Sequence, residues 1–583
     1  MGNVAKPIIR EIKDSREALD FFETVSLLTE KPKTQEIIMN FPTVYIHNWK
    51  ESSKYEVYVG ESNDIFKRTR QHYDAASDKS KWQSKLLEKN ASLFIIGHEH
   101  FNKSLTLDVE NRLMHYMMSV DCVKQVHNLR DNPQTGYYPM EELDEIFSKV
   151  WKALRNENKD LFPTESSIKD SAIYKASPLH KLTKEQEKAR ELIIQKVSKA
   201  LENGERGQLI FVDGEAGTGK TVLNSSTFYE LYCQAEENHK DIKVYLLVNH
   251  DEQITVYKQI AEKLGLTQKY GKVVSKPTTF INNHSENEPI DVAFVDEAHL
   301  LLTQGKYSYC GKNQLKDIID RARVTVVMFD ENQILTTEQF WEHQILEQYR
   351  DQARKANNYI VLGRQLRMHI DPVTMDWIDS FTKKGQLKRI PKTLGGYTIK
   401  VFSNPQLLDM EINKKAGEKE CALSRIIATY DWNYSKSHRP EKRLGKYWEV
   451  LIGNWHKPWN RELTKELSRE EKRNIKDLAW AEQPQTINEV GSTFTIQGFD
   501  LNYAGVILGP SVKYRDGKIV FDPSESYNEK AVRNRTLSDG TQRKFGETLI
   551  QHEVRVLMTR GVNGMYIYAC DQALREALLE AAK

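Results

Sequence analysis

Short apolar runs rich in β-branched and aromatic residues recur through the middle of the chain, each followed by room for one helix. They are Leu209–Val212, Val244–Val248, Val292–Val295, Val324–Phe329 and Tyr359–Leu362. Parallel strands covered on both faces require such brief, non-alternating runs, and their spacing predicts βαβ units. A second series starts near Tyr397–Phe402 and continues through Tyr447–Ile452 and Val506–Leu508 to Met565–Ala569, so a second sheet is expected. Before both, Thr43–His47, Tyr55–Gly60 and Leu93–Ile96 read as strands among the helices Asp64–Tyr73 and Leu105–Met118, a small α/β or α+β module. Phe162–Leu182 carries Pro163, Pro178 and several serines without sustained apolar periodicity and reads as a linker. The resulting division is a module over 1–160, a linker over 161–180, one sheet domain over 181–390 and another over 391–583.

Composition adds limits. With 583 residues, 39% of them hydrophobic and 28% charged, the chain has material for about three cores. It contains no apolar stretch long enough to span a membrane, and the polar Met1–Arg16 lacks the apolar centre of a secretory signal, so a soluble cytosolic protein without a membrane partner is expected. Five widely separated cysteines form no C-x-x-C pair and read as free thiols. The net charge of +2 leaves nucleic-acid affinity to local patches.

Chemistry concentrates first in Asp213-Gly214-Glu215-Ala216-Gly217-Thr218-Gly219-Lys220-Thr221, directly after a strand. The spacing G-x-x-x-x-G-K-[ST] lets backbone N–H groups wrap a triphosphate, with Lys220 on its β/γ oxygens and the Thr221 hydroxyl on Mg²⁺. Gly214, Gly217, Thr218 and Gly219 complete the loop, and ATP and Mg²⁺ are the implied cofactors. Downstream, the strand ending in Asp296-Glu297 delivers two carboxylates at its C-terminal edge, where open parallel sheets bind ligands. Asp296 would hold the Mg²⁺ shell and Glu297 would orient or deprotonate the attacking water. His299 fits either a coupling role or a polar residue satisfied beneath the sheet.

The order of these motifs resembles superfamily 1 helicases and translocases over roughly Leu182 to Ala569. That resemblance implies two tandem RecA-like P-loop domains and further roles. Gln186, in Leu182-Thr183-Lys184-Glu185-Gln186, would read adenine. Gln333, in Phe329-Asp330-Glu331-Asn332-Gln333, would sense the γ-phosphate. Arg367, in Gln365-Leu366-Arg367, and Arg560, in Val554–Gly561, would supply arginine fingers. Gln497-Gly498 centres a run similar to the motif that links strand contacts to the nucleotide. More narrowly, Gln365–Met368, Ala428–Trp432 and Ile496–Gly509 resemble a bacterial group related to the helicase-like part of Schlafen proteins. The spacing leaves no room for large accessory domains, so strand-coupled ATP hydrolysis is expected more firmly than processive unwinding. Trp432, Tyr434, Trp455 and Trp459 lie near basic residues and suit either base stacking or packing.

In the first module Thr43-Val44-Tyr45-Ile46 and Tyr58-Val59-Gly60 place two tyrosines on neighbouring strands. A helix follows with Arg68 and His72 four apart on one face, then Glu110 on a later helix, and Asn128. Alternating aromatics also fit a packed core, and Arg and His a solvated face. The joint order resembles the GIY-YIG nucleases over about residues 41–130, with Val44 and Val59 replacing the leading glycine and central isoleucine. The resemblance implies a phosphodiester hydrolase in which Glu110 holds Mg²⁺ or Mn²⁺. Tyr45 would be the base, aided by His72, with Tyr58 in support, Arg68 on the phosphate, and Arg70 as the alternative arginine. Gly97-His98-Glu99-His100 reads as a polar turn, because no further ligand is spaced for a closed metal site.

The fold expected is α/β, a small GIY-YIG-like domain followed by two RecA-like parallel-sheet domains. The function expected is a nucleic-acid motor fused to an endonuclease, acting on DNA in anti-phage defence, alone, as a homo-oligomer or with a defence partner. Two alternatives stay open. One is an ATPase switch that unlocks the nuclease, and the other a remodelling factor whose first module binds DNA without cutting.

Overall fold

The computed structural model describes residues 4–583 apart from 79–80, 88–89, 129–135, 306–308, 364–367, 369–371, 393–395, 419–420, 436–437, 441–444 and 477. The chain divides into two compact units, Met1–Lys181 with Val256–Val273, and Leu182–Thr255 with Val274–Lys583.

The first unit is built on a five-stranded sheet of β1 (Ile8–Lys13), β2 (Thr43–Glu51), β3 (Lys54–Ser62), β4 (Ser92–Gly97) and β5 (Val123–Val126), in the order β1-β4-β2-β3-β5. Only the β3–β5 pair is parallel. The β2–β3 hairpin pairs Tyr45 with Gly60 and His47 with Tyr58, which fixes which side chains share a face. Helix α1 (Ile65–Ala75) starts where Asp64 accepts the Lys67 N–H at 2.9 Å, and α2 (Lys103–Met118) where Asn102 accepts that of Leu105 at 3.0 Å. Both follow turns that end a strand, so each helix returns across the sheet edge carrying its polar residues.

The second unit holds two parallel sheets. The first sheet comprises β6 (Gln208–Gly214), β7 (Val244–Val248), β8 (Val274–Ser275), β9 (Ile290–Asp296), β10 (Ala322–Phe329) and β11 (Tyr359–Leu362), ordered β11-β6-β10-β9-β7-β8. Among its helices are α3 (Lys184–Glu202), α4 (Lys220–Glu237), the start of α5 (Asp251–Lys263) and α6 (Pro372–Thr382). Register brings Phe329 beside Asp213 and Val295 beside Val327, so the C-terminal ends of β6, β9 and β10 open together. Phe211, Leu247, Val295, Val327 and Phe329 are the buried body beneath that edge.

The second sheet comprises β12 (Thr398–Val401), β13 (Arg425–Ala428), β16 (Val490–Ser492), β17 (Leu501–Leu508) and β22 (Gly561–Ala569), ordered β12-β22-β17-β13-β16. Hairpins interrupt it as β14 (Glu449–Ile452) with β15 (Trp455–Pro458), β18 (Val512–Arg515) with β19 (Lys518–Phe521), and β20 (Arg535–Thr536) with β21 (Gln542–Arg543). Helix α7 (Gly546–Met558) leads into β22.

Two expectations change. Tyr447–Ile452 is not a strand of the parallel sheet. Its apolar signal comes from Val450, which packs on the sheet from the β14–β15 hairpin, while β13 and β16 take the sheet positions. The 161–180 stretch carries two short helices, Glu165–Asp170 and Ala172–Ala176, with Leu161, Phe162 and Ile168 buried. Trp455 and Trp459 are buried in the second lobe's core. Among the described residues no helix is long and apolar enough to cross a membrane, and the five cysteines form no disulfide.

Candidate functional site

In the second unit, β6 runs into a loop whose Gly217 and Gly219 take φ of 83° and 78°, left-handed values that turn successive N–H groups inward at no steric cost. Gly214 is equally constrained, since a Cβ there would lie 2.8 Å from Thr218 Oγ1. Lys220 opens α4 and is buried, its Nζ donating to the carbonyls of Gly214 at 2.6 Å and Glu215 at 2.9 Å, with Asp330 Oδ2 at 3.6 Å. Thr221 follows it, half-buried, in the first turn. A cavity of about 420 Å³ adjoins the loop, lined by Gly214, Glu215, Thr218, Asp330, Arg350 and Tyr359 among others. A buried ammonium, a hydroxyl at a helix start and the buried Asp296 carboxylate at the end of β9 form a donor set that fits a triphosphate with Mg²⁺.

Glu297 follows Asp296 in a left-handed conformation, φ 48°, a strain typical of functional positions. Burial pushes its carboxyl up, but His299, Lys220 and Arg560 more than offset this and hold it below its ordinary value. His299 is itself pushed down by burial, so we assign the offset to Lys220, the hydrogen bond from Gln253 and Arg560. Gln253 on α5 donates to Glu297 Oε1 at 3.3 Å, whereas Oε2 lies 3.4 Å from His299 Nε2 without a hydrogen bond. His299 therefore sits beside the Glu297 carboxylate and is not satisfied elsewhere.

A chain of polar contacts leads from this loop to the second lobe. Gln333 donates to Asp330 Oδ2 at 2.8 Å, and Arg560, fully buried, donates through Nη2 to Gln333 Oε1 at 3.0 Å. Gln497 donates to the Gln333 carbonyl at 3.0 Å. Gly498 takes a left-handed φ of 86°, which strains any side chain, and an ideal Cβ there would lie 2.5 Å from Gln253 Nε2. Gln186, the residue expected to read adenine, is buried and turned toward the phosphate loop. Its Nε2 donates to the Thr218 carbonyl at 3.2 Å and its Oε1 accepts the Thr183 N–H at 2.9 Å, so the amide joins the cap of α3 to the phosphate loop. Arg367 lies outside the described residues. Sequence reasoning assigned no role to Asp330 or to Arg555 on α7, although both lie in the runs Phe329–Gln333 and Val554–Gly561, and it missed Gln253, an isolated polar residue inside a helix with no motif signal.

Between the two lobes runs a cleft of about 1190 Å³, lined by Tyr430, Tyr434, Phe494, Tyr527, Lys276 and Lys530 among others. Of the tryptophan and tyrosine positions suggested for stacking, Tyr434 reaches this cleft.

The first unit has its own cavity of about 450 Å³, whose lining includes Tyr45, Tyr58, Gly60, Arg68, Glu110 and Asn128. The tyrosine rings stack at 6.2 Å and 29°. Tyr45 Oη lies 3.0 Å from His72 Nε2. Burial, and after it Tyr58, push the Tyr45 phenol well above its ordinary value, while burial drives His72 down to about 3, leaving a neutral imidazole. Burial pulls on Arg68, but its hydrogen bond to Tyr45 leads the contacts that raise it overall. Asn128 donates to Glu110 Oε1 at 2.9 Å and to the Val59 carbonyl at 2.7 Å, fixing the carboxylate at the cavity wall. Arg70 is spent on Asp20, 2.7 Å away, and on Glu23, so Arg68 is the arginine of this cavity. His98, Glu99 and His100 each turn to a different partner, Ala5, Lys33 and Glu142. Among the described residues no three His, Cys, Asp or Glu gather as a ready metal cage.

Two further neighbours had no sequence signal. Asp14 and His47 form a fully buried pair at 2.6 Å beside His72, and Trp82 stacks on Tyr58 at 4.0 Å and 16°. Gly60 itself is a test. A Cβ there would lie 2.4 Å from Tyr45 Cζ, so Gly60→Ala should displace the Tyr45 ring and destabilise this unit by about 1–3 kcal/mol. Near-UV dichroism and a denaturant melt would read this, and an unchanged spectrum would contradict the packing described.

The family described as the Schlafen group 3 DNA/RNA helicase domain matches residues 207–571. A Saccharomyces cerevisiae protein described as uncharacterized is 30% identical over 436 residues, covering 69% of this chain and 91% of that protein. Among solved structures, Pif1 helicase from Candida albicans aligns at 11% identity and TM-score 0.27 over 68% of this chain and 97% of that one. S. cerevisiae Dbp5 bound to RNA and ADP BeF3 aligns at 13% identity and TM-score 0.28, covering 69% and 90%.

Proposed function

Because the chain belongs to the Schlafen group 3 DNA/RNA helicase-domain family, a helicase-like NTP hydrolase, we propose that it is an ATP-driven nucleic-acid motor fused to a metal-dependent endonuclease that acts on DNA. The observation that carries the motor is the continuous contact Lys220–Asp330–Gln333–Arg560, which ties the phosphate loop of one lobe to the last helix–strand junction of the other. A change at the phosphates is felt by Gln333 and passed to Arg560, so hydrolysis alters how the lobes meet. Lys220 and Arg560 neutralise charge, and Glu297, with one carboxylate oxygen unbonded, takes the water proton. Thr221 and Asp296 would hold Mg²⁺, which supplies charge neutralisation to the triphosphate. The cleft between the lobes, with rings for stacking and lysines for phosphates, takes a single strand.

In the first unit Tyr45 stays protonated and passes its proton to the neutral His72 as it accepts one from water. Arg68 steadies the scissile phosphate, Tyr58 orders Tyr45 by stacking, and Asn128 holds Glu110 in place. Glu110 would hold one divalent cation, which would supply charge neutralisation at the scissile bond. The pairing of motor and cutter suits defence against foreign DNA, in the cytoplasm.

Phosphate release measured with and without single-stranded DNA tests the motor. Stimulation of about 10-fold or more is expected, the scale of a typical coupling between sites. Equal rates would favour a nucleic-acid-independent ATPase.

A further inference from the structure

Glu215 is the one acidic residue between Gly214 and Thr221, and it stands at the mouth that must accept a polyanion. An uncompensated carboxylate there repels the triphosphate. Two cations compensate it. Arg555 Nη2 meets Glu215 Oε2 at 2.7 Å and Lys383 Nζ meets Oε1 at 2.7 Å. The two differ in kind. Lys383 is over a third exposed and shared with Asp379, whereas the Arg555 side chain is 4% exposed and its planar guanidinium bridges Glu215 and Asp379 at once. Arg555 stands on α7 of the second lobe, five residues before Arg560, and also contributes to holding the Asp330 carboxyl down. Compensation of the phosphate loop therefore comes from the opposite lobe.

We propose that Arg555 is a positioning residue that couples triphosphate affinity to lobe closure by neutralising Glu215. With the lobes together the mouth of the loop is electrostatically ready; with them apart Glu215 faces the incoming phosphates with Lys383 alone. By linkage, triphosphate binding favours closure by the same factor. Arg560, bonded to Gln333 and to the Val556 and Phe499 carbonyls, does not reach Glu215, so the two arginines divide the work.

This inference rests on reading the loop as an ATP site. Binding of a fluorescent ATP analogue and steady-state kinetics on the full chain test it, with Arg555→Gln, Arg555→Lys, Glu215→Gln and the double Glu215→Gln/Arg555→Gln. Arg555→Gln should weaken triphosphate binding about 10-fold or more and raise KM more than it lowers kcat. Arg555→Lys should recover part of the loss, and the double variant should return to within about 3-fold of wild type, because the charge needing compensation is gone. A double variant as weak as Arg555→Gln, or a loss confined to kcat, would overturn the proposal. Should Arg555→Gln fail to fold, Glu215→Gln alone decides. Unchanged or tighter binding supports the proposal, and weaker binding makes Glu215 itself a ligand and overturns it. Lys220→Ala separates the premise: binding indifferent to Lys220 sinks the ATP site, whereas Lys220-dependent binding without rescue sinks only the role of Arg555.

Discussion

Lys220→Ala lowers ATP turnover by about 10²-fold or more while leaving the thermal melt near that of the parent. The ammonium is buried at the start of α4, and its three polar neighbours, the carbonyls of Gly214 and Glu215 and the Asp330 carboxylate, all belong to the nucleotide site. Removing it leaves Asp330 without its nearest cation and the phosphate loop without positive charge of its own. Part of the loss also reaches the second lobe, because Asp330 orients Gln333, which holds Arg560. Phosphate release at saturating Mg²⁺ and ATP reads the effect, and turnover within about 3-fold of the parent would remove Lys220 from the chemistry.

If the first unit is the nuclease proposed, Glu110→Gln should lower DNA cleavage by about 10²-fold or more and leave strand-stimulated ATP turnover intact. The change keeps size and the hydrogen bond from Asn128, and removes only the charge at the cavity wall. Cleavage of linear and circular DNA with Mg²⁺ or Mn²⁺ reads it. Retained cleavage would place the cutting site elsewhere, and absent cleavage in the parent would favour a first unit that binds DNA without hydrolysing it.

Much of the motor lobe is legible because its signals are local. Strands buried on both faces announce themselves as apolar runs, so Val244–Val248 and Tyr359–Leu362 match the observed elements to the residue. Phosphate-loop chemistry likewise depends on fixed spacing along one segment. The second lobe is less legible. β16 is three residues long and β13 offers only Ile426 and Ile427 as β-branched apolar residues, so neither makes a run, and the apolar β14 belongs to a hairpin laid on the sheet. In the first unit, the isoleucines of β1 (Ile-Ile-Arg-Glu-Ile-Lys) are broken up by charged residues, and the strand escapes a search for continuous runs. The Asp14–His47 pair and the Arg555–Glu215 bridge join residues far apart in sequence, and only the fold brings them together.

The most direct measurement follows cleavage and phosphate release from the same incubation of linear DNA with Mg²⁺ and ATP, for the parent, Lys220→Ala and Glu110→Gln. The account predicts that the parent does both, that Glu110→Gln releases phosphate in response to DNA without cutting, and that Lys220→Ala loses turnover together with any ATP-dependent cutting. DNA-independent turnover in the parent, or cutting unchanged in Glu110→Gln, would contradict a motor and a nuclease working on one substrate.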